Sequence, residues 1–279
     1  MTTALITGAN QGLGFALAAE LAARLRPDDR VLVTGRNRER VEMAAKSIGK
    51  EARVLDVTDA TAVSALAEEL GQVDLVFSNA SAMLTPDRTQ EEQADEFIAV
   101  ANGGAQAILR EFGPILRPGG RLIVVASSLG TLGGLDPRLR PLFDDGVTLD
   151  DVERAVEGWR RAIHDGTAAQ QGWPRWINVP SKVAQVAAVR AVAAGRRRAD
   201  LATETLVAAV CPGLVDTPLS RPWFADFSRA QSPAKAAGRL LDAVLPFDPA
   251  LYGELSRFGR VLDWHGDSFG DLDRHATVR

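Results

Sequence analysis

The sequence predicts an α/β chain: one doubly wound parallel sheet with helices on both faces. Short apolar runs alternate with helical stretches from residue 4 to residue 128, the rhythm of right-handed βαβ units. A glycine-rich turn joins the first apolar run to the first helical stretch. Hydrophobic residues make up 46% of the 279 residues, enough to bury a sizeable core in a single domain, 1–279.

The elements follow in order. ALIT (4–7) is uninterrupted and apolar, as a strand covered on both faces must be. GFALAAELAARL (14–25) repeats its apolar residues at helical spacing. RVLVTG (30–35) and RERVEMAAKSIG (38–49) repeat the strand–helix pair. ARVLDVTD (52–59) is the third strand, and TAVSALAEELG (61–71) the third helix, with Thr61 as its cap. VDLVFSNAS (73–81) is the fourth strand, followed by one long helix over 91–116 and a fifth strand, GGRLIVVASS (119–128). Beyond residue 181 come a helix to about 195, a strand TLVAAVCPG (205–213) and a helix over 233–245. Residues 131–177 interrupt the rhythm with a Pro-, Gly- and Asp-rich stretch and an amphipathic helix capped by Thr148. This segment is expected to be an insertion over the substrate cleft or a cover for an oligomer face. Residues 214–232 form a second loop on the substrate side.

TGANQGLG (7–14) opens the first helix. Gly8, Gly12 and Gly14, with Asn10, Gln11 and Leu13 between them, place free backbone amides and a helix N-terminus where a pyrophosphate binds. The fold class is therefore Rossmann-type. At the end of the second strand an NAD binder usually carries an acid. This chain carries Arg36, with Arg40 one helical turn on, and guanidinium groups there suit a 2′-phosphate. The expected cofactor is NADP(H).

Taken together, these motifs resemble the short-chain dehydrogenase/reductase family over nearly the whole chain. Asp56-Val57 matches the pair that contacts adenine in that family. SNAS (78–81) stands where the family has Asn-Asn-Ala-Gly, with Asn79 and Ala80 retained. Asn102, Ser128 and Lys182 match three members of the catalytic tetrad, and Lys182 also implies a bond to the nicotinamide ribose. CPGLVDT (211–217) matches the segment that holds the nicotinamide carboxamide, through Pro212, Gly213, Val215 and Thr217. The long stretch before Lys182, ending in QQGWP, and the tail over 232–264 resemble the NADPH-dependent carbonyl reductases. That resemblance implies a monomer whose insertion covers a helix face used elsewhere for assembly. Gln11 replaces a lysine that helps hold the 2′-phosphate, which lowers the expected NADPH affinity.

The departure is the tyrosine. The family's proton donor stands four residues before the lysine, and here that position is Asn178. The only tyrosine in the chain is Tyr252, far downstream. An amide donates a hydrogen bond but cannot transfer a proton near neutral pH. Asn178 also has a structural role open to it, because Asn-Val-Pro-Ser-Lys resembles a helix start with asparagine as N-cap. The leading expectation is an NADPH-dependent reductase of a bulky carbonyl, enone or imine. Ser128, Asn178, Lys182 and Asn102 would form its site, with the proton relayed through water from Lys182 or Asn102. His164 is another candidate donor, although a lone helical histidine is usually a surface residue. The alternatives are a redox-neutral cyclase, dehydratase or isomerase, and a non-catalytic NADP-binding protein. Trp159, Trp173, Trp176, Trp223 and Phe224 cluster in the insertion and the loop after Thr217. Trp173, Trp176, Trp223 and Phe224 are expected either to line a pocket for a flat substrate or to pack the insertion onto the body.

Composition bounds the partners. A net charge of −4 and one cysteine argue against nucleic acid and against a disulfide framework. No apolar run is long enough for a membrane span, and MTTALITGAN lacks the features of a signal peptide, so a cytoplasmic protein is expected. The three histidines are scattered, and no metal site is expected.

Overall fold

In a computed structural model, which describes residues 1–224 and 226–267, the predicted alternation is present. The strands are β1 (Thr3–Ile6), β2 (Arg30–Gly35), β3 (Glu51–Val54), β4 (Val73–Ser78), β5 (Leu116–Val125), β6 (Leu206–Cys211), β7 (Leu255–Arg257) and β8 (Arg260–Val261). The helices are α1 (Gly12–Arg24), α2 (Arg38–Ser47), α3 (Ala60–Leu70), α4 (Gln90–Ile98), α5 (Gly104–Phe112), α6 (Leu149–His164), α7 (Asn178–Ala202) and α8 (Pro233–Val244). Residues 268–279, the end of the expected domain, lie outside the described residues, as does Ala225 within the 214–232 loop.

All strands join one sheet in the order β3-β2-β1-β4-β5-β6-β7-β8. β1 to β7 are parallel, and β8 returns antiparallel to β7. The β7–β8 hairpin was not expected from the sequence. Its turn places Phe258 and Gly259 at φ 53° and 77°, and two strands of three and two residues leave no readable alternation. The central strands are fully buried at Ala4, Leu5, Ile6, Val31, Leu32, Val76, Phe77, Leu122 and Ile123. That two-sided burial explains their continuous apolar runs. The order reverses between β1 and β4, and ligands of such sheets bind at the carboxyl ends of the strands beside that reversal.

Several boundaries differ from expectation for local reasons. Asp59, not Thr61, caps α3, because its carboxylate accepts the Ala62 N–H at 3.1 Å from an extended backbone. The single helix expected over 91–116 is broken. α4 and α5 are separated by a π-helical turn over Ala99–Gly103, and β5 already begins at Leu116. π-turns concentrate at functional positions, and this one contains Asn102. α6 is capped by Thr148 with a reciprocal bond from Asp151, and its buried Val152, Val156 and Trp159 pack against α4 and α7. The insertion thus covers a helix face of the body.

Candidate active site

Thr7 sets the geometry of the glycine turn. Its buried hydroxyl accepts the backbone N–H groups of Asn79 and Ala80 at 2.9 and 3.0 Å. The Asn79 amide in turn donates to the Thr7 and Gly8 carbonyls at 3.0 and 3.3 Å. A Cβ on Gly8 would stand 2.9 Å from Ala80 Cα, and one on Gly14 would collide with the Gly8 carbonyl oxygen and the Asn79 amide. Only glycine fits at these two positions. The Thr217 methyl group lies 3.6 Å from the Cβ position of Gly12. One short turn is therefore enclosed by residues from two distant stretches, Asn79–Ala80 and Thr217. Gln11 precedes α1 as its exposed N-cap without a side-chain capping bond, and Leu13 packs partly buried against the core. Asn10 lies over the end of β2, with its Oδ1 2.9 Å from the Cβ position of Gly35.

Arg36 follows β2 directly and is exposed, with one guanidinium nitrogen 3.1 Å from Glu96 Oε1 on α4. Arg40, on the first turn of α2, lines a shallow open hollow with Asn10, Phe15 and Met43. The Asp56 carboxyl is held below the usual range, first by the Thr58 backbone N–H and also by the nearby Arg36 charge. Val57 is buried beside it. On the opposite side, Pro212, Gly213 and Val215 leave β6 in a loop fastened by Gln231. The Gln231 amide donates to the Pro212 carbonyl at 3.1 Å, and its backbone bonds Leu214 and Asp216. The sequence reading missed Thr7 and Gln231. The adjacency of Thr7 to the glycine turn was a usable signal, whereas Gln231 carried none.

The three tetrad-like residues converge at the start of α7. The Asn102 amide donates to the Ser181 carbonyl at 2.9 Å, while its buried Oδ1 has no hydrogen-bond partner. Ser128, 2% exposed, stands three residues beyond the end of β5. Two residues on, a Cβ at Gly130 would lie 2.8 Å from the Lys182 carbonyl oxygen, so this loop packs directly on α7. Lys182 is buried and donates to Gln185 Oε1 at 2.8 Å. Burial pushes its amine down to about 8, against a small opposing effect from Cys211. Below pH 8 the folded protein therefore bears the full cost of burying an ammonium. Stability should rise between about 8 and the ordinary 10.5, where the unfolded chain still binds the proton. Lys182→Met is expected to stabilise the protein at pH 7 by on the order of 3 kcal/mol while weakening nucleotide binding. Denaturant melts at pH 7 and pH 10 check this, since the gain should shrink at the higher pH.

Asn178 is not the N-cap of α7. It is the first helical residue, Ile177 occupies the cap, and no side chain caps this end. The preceding Trp176 and Ile177 already turn toward the helix, with Val179 N–H on the Trp176 carbonyl at 3.0 Å, which moves the start one residue forward. The partly buried Asn178 amide is thus free of that structural duty. Tyr252 offers no replacement donor. It is buried, and its hydroxyl bonds the Ala193 carbonyl at 3.0 Å and Asp200 at 2.8 Å. Ala193 lies about 16 Å beyond Lys182 along α7. His164 is exposed and pairs with Asp95 of α4 at 3.0 Å.

The aromatics divide. Trp173 is 6% exposed and packs on Trp159 and Phe143, with ring centroids 5.8 and 6.2 Å away. These contacts give the insertion an aromatic core of its own. Trp173→Ala should cost about 3–5 kcal/mol, visible as a lower denaturation midpoint, without weakening nucleotide binding by the folded protein. Trp176 and Trp223 pair at 6.4 Å, and the Trp223 indole N–H donates to the Leu84 carbonyl at 3.1 Å. They span the gap between the start of α7, the loop after β4 and the loop after β6. Phe224 instead stacks edge-on against Phe227. Among the described residues no helix is long and apolar enough to cross a membrane, and no three His, Cys, Asp or Glu residues gather as a metal site.

A family profile described as short chain dehydrogenase matches residues 2–136. Carbonyl reductase [NADPH] 1 of Bos taurus is 27% identical over 277 residues, covering 94% of this chain and 98% of that protein. Among solved structures, salutaridine reductase from Papaver somniferum superposes with a TM-score of 0.77 at 21% identity, covering 91% of this chain and 99% of that one. An NADPH-bound carbonyl reductase from chicken fatty liver gives 0.68 at 20% identity, covering 95% and 99%. With the glycine turn and the strand order beside these matches, residues 2–136 carry the short-chain dehydrogenase profile, and the chain over nearly its whole length is similar to an NADPH-dependent carbonyl reductase.

Proposed function

We propose that the protein is an NADP(H)-dependent reductase of a bulky carbonyl, enone or imine, whose proton comes from a group other than tyrosine. The observation that carries this reading is the convergence of two sets of residues. The Gly8–Gly14 turn is enclosed by Asn79, Ala80 and Thr217, and Ser128, Lys182 and Asn102 gather at the start of α7. These residues fit a dinucleotide. The glycine turn leaves no room for side chains at Gly8 and Gly14, Asp56 and Val57 would contact the adenine, and Arg36 and Arg40 would offer guanidinium groups for a 2′-phosphate. Lys182 would bond the nicotinamide ribose, and Pro212, Gly213, Val215 and Thr217 the carboxamide. The similarity to a carbonyl reductase named for NADPH supports the same cofactor.

Bound NADPH supplies a hydride from its nicotinamide ring. The chain must then stabilise the oxygen that gains charge and provide a proton. Ser128 and Asn178 would donate hydrogen bonds to that oxygen. Lys182, whose proton is held at only about 8, would release the proton through water, and Asn102 would hold that water by a hydrogen bond. An iminium substrate suits this site best, because its positive charge is cancelled by hydride alone. Trp176 and Trp223 would present a flat aromatic wall to the substrate. The packing of α6 against α4 and α7 supports a monomer.

Parallel calorimetric titrations with NADPH and NADH test the reading. The wild-type protein should bind NADPH more tightly. Arg36→Leu should weaken NADPH by about tenfold or more, the worth of a charge-assisted hydrogen bond, with NADH little changed. If neither nucleotide binds, the redox reading fails and redox-neutral chemistry on the same scaffold takes its place.

A further inference from the structure

A buried lysine needs an acceptor, and among the described residues no carboxylate serves Lys182. Its ammonium donates to Gln185 Oε1 at 2.8 Å, one turn further along α7. The Gln185 Nε2 donates to the Ala101 carbonyl at 2.6 Å, within the π-helical turn that carries Asn102. Gln185 is 3% exposed. Its orientation admits one solution, since an ammonium only donates and a carbonyl only accepts, so the amide oxygen must face Lys182. The elements packed around Lys182 are otherwise neutral near it. The π-turn presents Asn102, β5 leads to Ser127 and Ser128, and Cys211 on β6 is the titratable group that acts on the amine.

We propose that Gln185 is a positioning residue, whose amide ties the Lys182 ammonium to the π-helical turn and so places that ammonium against Asn102 and Ser128. This deepens the reading of Lys182 as a member of the active site. A neutral acceptor holds the lysine without anchoring its charge, so the proton stays exchangeable near pH 8. A carboxylate at the same place would lock the proton on. An apolar side chain would leave the ammonium unsatisfied in a buried site.

The test needs no nucleotide, so it stands apart from the cofactor reading. The chain has four lysines, Lys46, Lys50, Lys182 and Lys235, and carbon-13 labelling of their ε-methylene groups gives a spectrum that can be followed signal by signal through a pH titration. The Lys182 signal is the one missing from Lys182→Met. Gln185→Glu should raise its midpoint by roughly one pH unit or more, through an added opposite charge. Gln185→Leu should lower it by roughly half a unit or more, through loss of one hydrogen bond to the charged form. Gln185→Met, flexible and of similar length, replaces the leucine variant if that one fails to fold. The other three lysines should titrate as before. An unchanged Lys182 midpoint in the folded variants would overturn the proposal. Failure of the wild-type protein to bind NADPH would instead count against the cofactor reading and leave this result intact.

Discussion

Asn178→Tyr is expected to raise NADPH-dependent reduction of a simple ketone by about 10²–10⁴-fold in kcat, the usual worth of a placed general acid. The substitution places a phenol four residues before Lys182, where the resemblance implies the family's proton donor. It also removes little. Asn178 caps nothing, is only partly buried, and sits on the first turn of α7. Residues four apart on a helix are neighbours, so the new phenol would lie beside the Lys182 amine. The cationic form of that amine would lower the phenol's pKa toward the working range. Because the amine titrates near 8, the gained activity should vary with pH through that region. Steady-state kinetics with a small ketone, from pH 6 to about pH 10, would show it. A variant that binds NADPH yet gains no activity would mean that the cleft is not shaped to bring a carbonyl to Ser128, and the case for an imine or a redox-neutral substrate would strengthen.

Gly14→Ala should damage both stability and nucleotide binding. The added Cβ would meet the Gly8 carbonyl oxygen, which is backbone, and the Asn79 side-chain amide, which two hydrogen bonds hold in place. Asn79 is already committed to the Thr7 and Gly8 carbonyls, and Thr7 in turn holds the Asn79 and Ala80 backbone. Relieving the clash therefore breaks the link between the ends of β1 and β4. A cost at the upper end of about 1–3 kcal/mol is expected, a fall of roughly 5–10 °C in melting temperature for a chain of this size. The same displacement spoils the amides meant for phosphate, so NADPH binding should fall at least about tenfold, the effect of a 1.4 kcal/mol loss. Thermal melts and calorimetry on one preparation measure both. An unchanged melt with unchanged affinity would show that the turn is not the tight cradle described.

Much of the fold was legible because its cause is local. Continuous apolar runs such as Val31–Val33 and Leu122–Val124 mark strands covered on both faces, and the 3.6-residue rhythm of α1 and α6 marks their buried stripes. The glycine turn was legible for a similar reason. Gly8 and Gly14 answer a steric demand that any chain bringing β4 this close to β1 must meet. Where two good caps compete, as Asp59 and Thr61 do, composition does not choose between them, and the extended backbone at Asp59 decides. The break at Ala99–Gly103 was hidden because its residues continue an acceptable helical pattern.

The sequence by itself determined the fold class, the strand–helix order, the presence of Lys182 without a tyrosine before it, and the position of the glycine turn. Each depends on the spacing or identity of residues close together in the chain. Only the tertiary structure decided that Trp173 packs inside the insertion, that Tyr252 is spent on Asp200 and Ala193, and that Lys182 leans on Gln185 and through it on Ala101. These outcomes turn on which distant side chains share one volume and on how little water reaches them. The same lysine in water would titrate near 10.5, and burial among neutral groups brings it to about 8.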